Sequence, residues 1–163
     1  MRIISYAVAL VIAAPTVAWS QGTKPVAPDM NAMFARMQAN VAKITERAEK
    51  ERWQANVALW QVRLSHMNKL AQADVASMQV SFDVMKANVA KITEPAEKER
   101  WQADRDLWQI TLSHAGTMPG ADAARMKVTF GKMRANVLKI TEVAEKERWQ
   151  ANSDLWQAMI GQM

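Results

Sequence analysis

The sequence predicts an all-α protein in which three long amphipathic helices, one from each copy of an internal repeat, fold into an up-down-up bundle. Two observations predict it. A segment of 25 residues recurs three times at a spacing of 48 residues, and apolar residues within each copy recur at steps of three and four. The chain has 163 residues, 50% of them hydrophobic, which is enough for one domain with its own core.

The N-terminal segment has the pattern of a secretory signal peptide over residues 1–20. A charged Arg2 precedes an apolar run over 3–14, and an Ala-Trp-Ser sequence ending at Ser20 matches a cleavage site. Because a membrane-spanning helix needs roughly 20 apolar residues, the shorter run favours cleavage over a retained anchor. We therefore expect a periplasmic or secreted protein without a transmembrane helix after cleavage. Residues 21–28, which include two prolines, predict a flexible leader.

The internal repeat dominates the rest of the chain. Its copies read MQANVAKITERAEKERWQANVALWQ, MKANVAKITEPAEKERWQADRDLWQ and MRANVLKITEVAEKERWQANSDLWQ, beginning at Met37, Met85 and Met133. Nineteen of the 25 aligned positions are identical in all three copies. The similarity extends backwards, which gives a three-repeat helical domain over 29–163 with repeats at about 30–67, 78–115 and 126–163. Such a repetition indicates one structural unit used three times.

Each repeat reads as one amphipathic helix. Its apolar stripe in the first copy consists of Met30, Phe34, Met37, Val41, Ile44 and Ala48. The intervening residues are mostly Ala, Lys, Glu, Gln and Arg, which are good helix formers. We therefore expect helices of roughly 35 to 40 residues that bury this stripe against one another. A right-handed coil formed by one continuous rod is a minor alternative.

The boundaries between helices are unequally marked. Pro119-Gly120 is a turn signal between the second and third copies, and Asp122 is a candidate N-cap after it. The first junction, residues 68–74, contains neither Gly nor Pro. The turn between the first two copies is therefore predicted mainly from the alignment.

Pro95 conflicts with a long second helix, because it replaces Arg47 and Val143 in the middle of the repeat. A proline inside a helix kinks it or costs about 3 kcal/mol. We expect a kinked but continuous helix. In the alternative, Pro95 starts a new helix and each repeat is a helix pair with Thr45, Thr93 and Thr141 as N-caps, as in an α-solenoid.

Pairs of tryptophans seven residues apart lie on one side of each predicted helix. One interpretation packs them in a second seam of the bundle. The other exposes them beside arginines as a repeated binding surface, since Trp and Arg are enriched at binding hot spots. The candidate partner-binding residues are Trp53, Trp60, Trp101, Trp108, Trp149, Trp156, Arg52, Arg100 and Arg148.

Methionine and histidine suggest an alternative metal site. Thioethers suit Cu(I), and the candidate ligands are Met30, Met33, Met37, His66 and Met67. Most of these methionines, however, lie on the stripe that a helix would bury as core. His66 and His114 occupy equivalent positions near predicted helix ends, which favours capping or a favourable charge at a C-terminus.

The sequence contains little that indicates catalysis. It has no cysteine, no phosphate-binding or zinc-protease motif, and acidic residues that alternate with Lys and Arg as on a solvated helix face. The net charge of +5 is dispersed, which disfavours nucleic acid as a partner. We expect an exported, non-enzymatic binding or scaffold module without a cofactor, whose partner is a protein, an envelope component or a second copy. A periplasmic copper-binding protein and a chaperone-like helical protein are the alternatives.

Overall fold

The computed structural model describes residues 29–66, 70–114 and 118–162, so the expected signal peptide and leader lie outside the described residues. These ranges are all-α and contain six helices. They are α1 (Met30–Ala42), α2 (Arg47–Ser65), α3 (Gln72–Val89), α4 (Pro95–Ser113), α5 (Gly120–Val137) and α6 (Val143–Ile160). Among the described residues, no helix has both the length and the apolar content required to cross a bilayer.

Each long helix expected from the sequence is divided in two, so the bundle of three long helices is not formed. The first interruption spans residues 43–46, where the Ile44 amide donates to the Val41 carbonyl at 3.1 Å and closes a tight turn. Ile44 itself is buried and anchors this turn in the core. Glu46 then caps α2, because its carboxylate accepts hydrogen bonds from the amides of Ala48 and Glu49.

The other two interruptions repeat this design. Glu94 caps α4 and Glu142 caps α6, each through the same pair of backbone amides. Pro95 is the first residue of α4, where a proline loses no helical hydrogen bond. The alternative in which Pro95 starts a helix is therefore confirmed, although the N-caps are the glutamates and not the preceding threonines.

The histidines occupy the C-cap positions of α2 and α4, as their places near helix ends suggested. His114 Nε2 lies 2.7 Å from Asp122 Oδ2, and His66 Nδ1 lies 3.4 Å from Asp74 Oδ2. The prediction that Asp122 is an N-cap is wrong, because Pro119 holds that position and Asp122 lies in the first turn of α5. These pairs connect the end of one helix to the start of the next.

The six helices form a closed ring. Each helix contacts the one before it and the one after it, and α1 also contacts α6. Connections of four to six residues join successive helices, which makes them antiparallel neighbours. The contact between α6 and α1 takes the place that the α2–α3 and α4–α5 contacts take elsewhere, so the array of helix pairs closes on itself and is not an open solenoid.

The helices divide into inner and outer sets. The side chains of α2, α4 and α6 meet at the centre of the ring, while α1, α3 and α5 expose one face. The outer helices bury the predicted apolar stripe, including Met30, Met37, Met78, Phe82, Met85, Met126 and Met133, whereas Phe34 and Phe130 are partly buried. The stripe therefore belongs to the core, as its helical spacing indicated.

Candidate functional site

Six tryptophans fill the axis of the ring in two layers. Trp53, Trp101 and Trp149 form one layer, in which every pair of rings meets edge to face with centroids 4.9 Å apart. Trp60, Trp108 and Trp156 form the second layer, with centroids 4.7–4.8 Å apart. Edge-to-face contacts suit the quadrupoles of aromatic rings. All six side chains are at most 1% exposed, so these layers fill the axis over their length.

A layer of three polar side chains lies between the two tryptophan layers. Asn56 Nδ2 donates to Asn152 Oδ1 at 3.1 Å, and Asn152 Nδ2 donates to Asp104 Oδ1 at 2.8 Å. The second tryptophan layer satisfies the same acceptors. Trp60 donates to Asn152, Trp108 to Asn56 and Trp156 to Asp104, over 2.7–2.8 Å. Three equivalent positions of the repeat thus form one buried hydrogen-bonded network.

Asp104 leaves this network incomplete. Its Oδ2 is buried and has no hydrogen-bond partner, although the equivalent Nδ2 atoms of Asn56 and Asn152 both donate. A carboxylate lacks the proton that the third hydrogen bond requires. Burial raises the pKa of Asp104 from 3.8 to about 6, even though hydrogen bonds from Asn152 and Trp156 favour the charged form.

Three ion pairs form a ring where the inner helices begin. Arg52 pairs with Glu97 at 2.7 Å, Arg100 with Glu145 at 2.6 Å and Arg148 with Glu49 at 2.7 Å. Each pair joins one inner helix to another, and together they close a cycle. The guanidinium groups of Arg52 and Arg100 also lie 5.9 Å from the ring centroids of Trp101 and Trp149.

A cavity of about 490 Å³ opens at this end of the axis. Its lining includes Arg52 and Arg148 from the ion-pair ring together with the capping residues Glu46 and Glu142. Hydrogen bonds from the backbone amides lower the pKa of each capping glutamate. The opening is therefore lined by ionised groups, most of which already hold a partner.

The structure brings the nine candidate partner-binding residues together, but in the interior. The binding hypothesis needs the indoles at the surface, whereas all six lie on the axis and pack between helices. The three arginines are also buried, with 6–7% of their surface exposed. In this fold these residues join the inner helices to one another and present no exposed tryptophan row.

The candidate copper ligands that the structure describes are occupied in core packing or in pairs with other side chains. Met37 is completely buried and Met30 is buried, with its Sδ atom 3.8 Å from Gln162 Nε2. Met33 is partly buried against the core, and His66 pairs with Asp74. Met67 lies outside the described residues.

Sequence reasoning missed the side chains that complete the axis. Glu49, Glu97 and Glu145 looked like members of a solvated charge run, and Asn56, Asp104 and Asn152 were not singled out. A signal for the second set was present, because position 56 lies between Trp53 and Trp60 on the same helix face. A polar residue flanked in this way points to a buried hydrogen-bond network.

No protein-family model, curated protein or solved structure significantly matches this chain.

Proposed function

We propose that this protein is an exported, non-enzymatic binding or scaffold module that contacts its partner through the outer helices. The observation that carries the proposal is a contrast between aligned positions of the three repeats. Positions on the axis are nearly identical, as in the arginines and tryptophans of the inner helices. Positions exposed on the outer helices differ, as in Arg36, Val84 and Lys132.

This contrast separates the axial residues, which hold the fold together, from the exposed surface of the outer helices. The axial residues form matched layers, so their identity is explained by packing and pairing within the chain. The exposed residues of α1, α3 and α5 do not form such matched layers, although Arg36 pairs with Asp154 of α6. They give each outer helix its own chemistry. A binding module needs such a rigid frame with a distinct surface.

The state of the carboxyl groups supports a non-enzymatic role. Glu46, Glu94 and Glu142 are exposed, and their backbone hydrogen bonds lower the pKa of each, which makes them poor proton donors near neutral pH. Asp104 has the raised pKa that suits a general acid, but its side chain is fully buried between the two layers of indoles. A substrate could not reach it without opening the axis.

Photo-crosslinking in the producing cells tests the proposal. A photoreactive amino acid is placed at the aligned exposed positions Ala32, Val80 and Val128, with Gln157 on an inner helix as the control. We expect an adduct with a protein or lipid of the cell envelope from at least one outer helix and little from the control. If none of the three outer positions gives an adduct, the proposal is overturned.

A further inference from the structure

The exposed face of α5 differs from that of the other outer helices. Its cationic residues are Arg125, Lys127, Lys132 and Arg134, and Lys139 follows just after the helix; all five are exposed. The only acidic residue of α5 is Asp122, which pairs with His114. The exposed part of this helix therefore carries positive charges and no carboxylate of its own.

These cations border a strip of small and apolar residues. At 100° per residue, Lys127 and Arg134 lie along one border of the exposed face, and Arg125 and Lys132 lie along the other, with Lys139 just beyond the end of the helix. The strip between the borders consists of Ala121, Ala124, Val128, Gly131, Ala135 and Leu138. Val128 is 62% exposed and Leu138 is 67% exposed, so both apolar side chains project into solvent.

Helix α3 provides a comparison within the same chain. It keeps the small-residue strip, but Asp83 takes the place of Gly131 at its centre. Gln79 and Val84 take the places of the border cations Lys127 and Lys132. Helix α1 keeps an uninterrupted strip, but Asn31 and Gln38 take the places of the border cations Lys127 and Arg134. Among the outer helices, only α5 therefore combines an uninterrupted strip with cations on both borders.

Helix α4 places two acidic residues beside one border of this face. Glu99 and Asp106 of α4 line a crevice that also contains Lys132. Glu99 accepts a hydrogen bond from Asn136, and Asp106 pairs with Arg105. These carboxylates adjoin only the Lys132 border, which leaves Lys127 and Arg134 on the opposite side of the strip.

We propose that α5 docks the protein flat on a bilayer that contains anionic phospholipids. This inference rests on the proposed function and names the partner. The strip lies against the lipid surface, and the cations on both borders extend to phosphate groups. A soluble polyanion would use the cations but would gain nothing from exposed Val128 and Leu138, which is why a lipid surface fits better.

Vesicle co-sedimentation tests the proposal with a matched pair of variants. The chain beginning at Gln21 is mixed with vesicles of phosphatidylcholine alone or with added phosphatidylglycerol, and the intact chain is run beside it. The test variant is R134E/K139E at the C-terminal end of α5, and the control is K86E/K91E at the aligned positions at the end of α3. Both change the net charge equally, and Lys139 and Lys91 each hold an equivalent asparagine contact.

We expect the protein to bind the vesicles that contain phosphatidylglycerol and not those of phosphatidylcholine alone. The affinity should fall by about tenfold or more in R134E/K139E and change little in K86E/K91E. G131D provides a second variant, because a side chain at Gly131 meets nothing within 4 Å and the fold should tolerate it. It places an acid where α3 has Asp83, so it should also weaken binding. Circular dichroism verifies that each variant is folded.

Absence of binding to phosphatidylglycerol vesicles, or equal losses in the two double variants, would overturn the inference. Retention on immobilised heparin without vesicle binding would also overturn it, in favour of a soluble polyanion. The two proposals can fail separately. A protein adduct from position 80 or 128 without vesicle binding would remove only the lipid proposal, whereas no adduct from any outer position would remove the binding module.

Discussion

Trp156 donates its indole proton to the carboxyl group of Asp104 across 2.7 Å, whereas the two equivalent indoles donate to asparagine amides. The asparagines can pass a hydrogen bond onward around the axis because an amide has both a donor and an acceptor. Ionised Asp104 has only acceptors, so the cycle stops at its Oδ2 atom. The centre of the fold thus contains a buried carboxyl group where the repeat elsewhere has an amide.

Replacement of Asp104 by asparagine should therefore stabilise the protein. The new amide would supply the missing donor toward Asn56, and the buried carboxyl group would be removed. We expect the free energy of unfolding at neutral pH to rise by about 1–3 kcal/mol, measured by urea denaturation. The reverse change, Asn152→Asp, should destabilise the protein by placing a second carboxyl group in the layer. Lower stability in D104N would contradict the proposed cycle.

Stability should also decrease as the pH rises through about 6. The native carboxyl group of Asp104, with its pKa raised from 3.8 to about 6, binds its proton more tightly than the unfolded chain does. The stabilisation that Asp104 contributes is fully present below pH 3.8 and is lost above the native pKa. The difference in pKa corresponds to a loss of about 3 kcal/mol in the free energy of unfolding. Urea denaturation across this range measures the loss, and D104N should lack it. An equal pH dependence in D104N would exclude Asp104 as the cause.

The capping glutamates should give stability the opposite pH dependence at lower pH. Their pKa values are lowered in the folded protein, so their contribution is present above the unfolded value of 4.5 and is lost as the pH falls through the folded values. Together with Asp104, they should place the stability maximum at mildly acidic pH. The same denaturation series locates this maximum.

A proline at the first position of an inner helix should leave the stability of the protein unchanged or increase it. Pro95 holds this position in α4 and Val143 holds it in α6, after N-caps with nearly identical backbone angles. We expect P95V to leave the melting temperature unchanged or lower it, and V143P to stabilise the protein by about 0.4–1 kcal/mol. Thermal denaturation of both variants tests this expectation. A clear increase in the melting temperature of P95V would contradict this expectation, because it would mean that Pro95 strains the start of α4.

The ring of ion pairs should contribute more to stability than an exposed pair. E97Q removes the charge that faces Arg52, whose side chain is only 8% exposed, and we expect a loss of about 1–3 kcal/mol. E51Q is the matched control, because Glu51 pairs with the exposed Arg47 within one helix and should cost less than about 0.5 kcal/mol. Urea denaturation compares them, and equal losses would show that burial does not strengthen the axial pair.

Local periodicity was sufficient to predict the helical class and the buried methionine stripe. It failed at the helix ends, because the steps of three and four continue through Ile44 and Ala48 although the chain turns between them. Ile44 is buried as the pattern predicts, but from a turn. Glu46 as an N-cap and Pro95 as a first helical residue were the available signs of a boundary.

The axis could not be assembled from periodicity, because its contacts join distant residues. Arg52 reaches Glu97 across 45 positions and Arg148 reaches Glu49 across 99. From sequence alone, the repeated Glu-Lys-Glu-Arg-Trp-Gln segment fits either a shared binding surface or a recent duplication. The burial of each arginine explains why the paired glutamate recurs in every copy. Each ion pair joins the arginine of one copy to the glutamate of another, so every copy needs both residues.

The contact of α1 with α6 also limits how the molecule can be rebuilt. Gln162 lies beside Met30, so the two ends of the described chain are neighbours and a short added peptide could join them. The chain could then be cut at the turn before α3 and still enclose the same axis. A fourth repeat, by contrast, would have no place between α6 and α1, because each tryptophan layer is filled by three indoles.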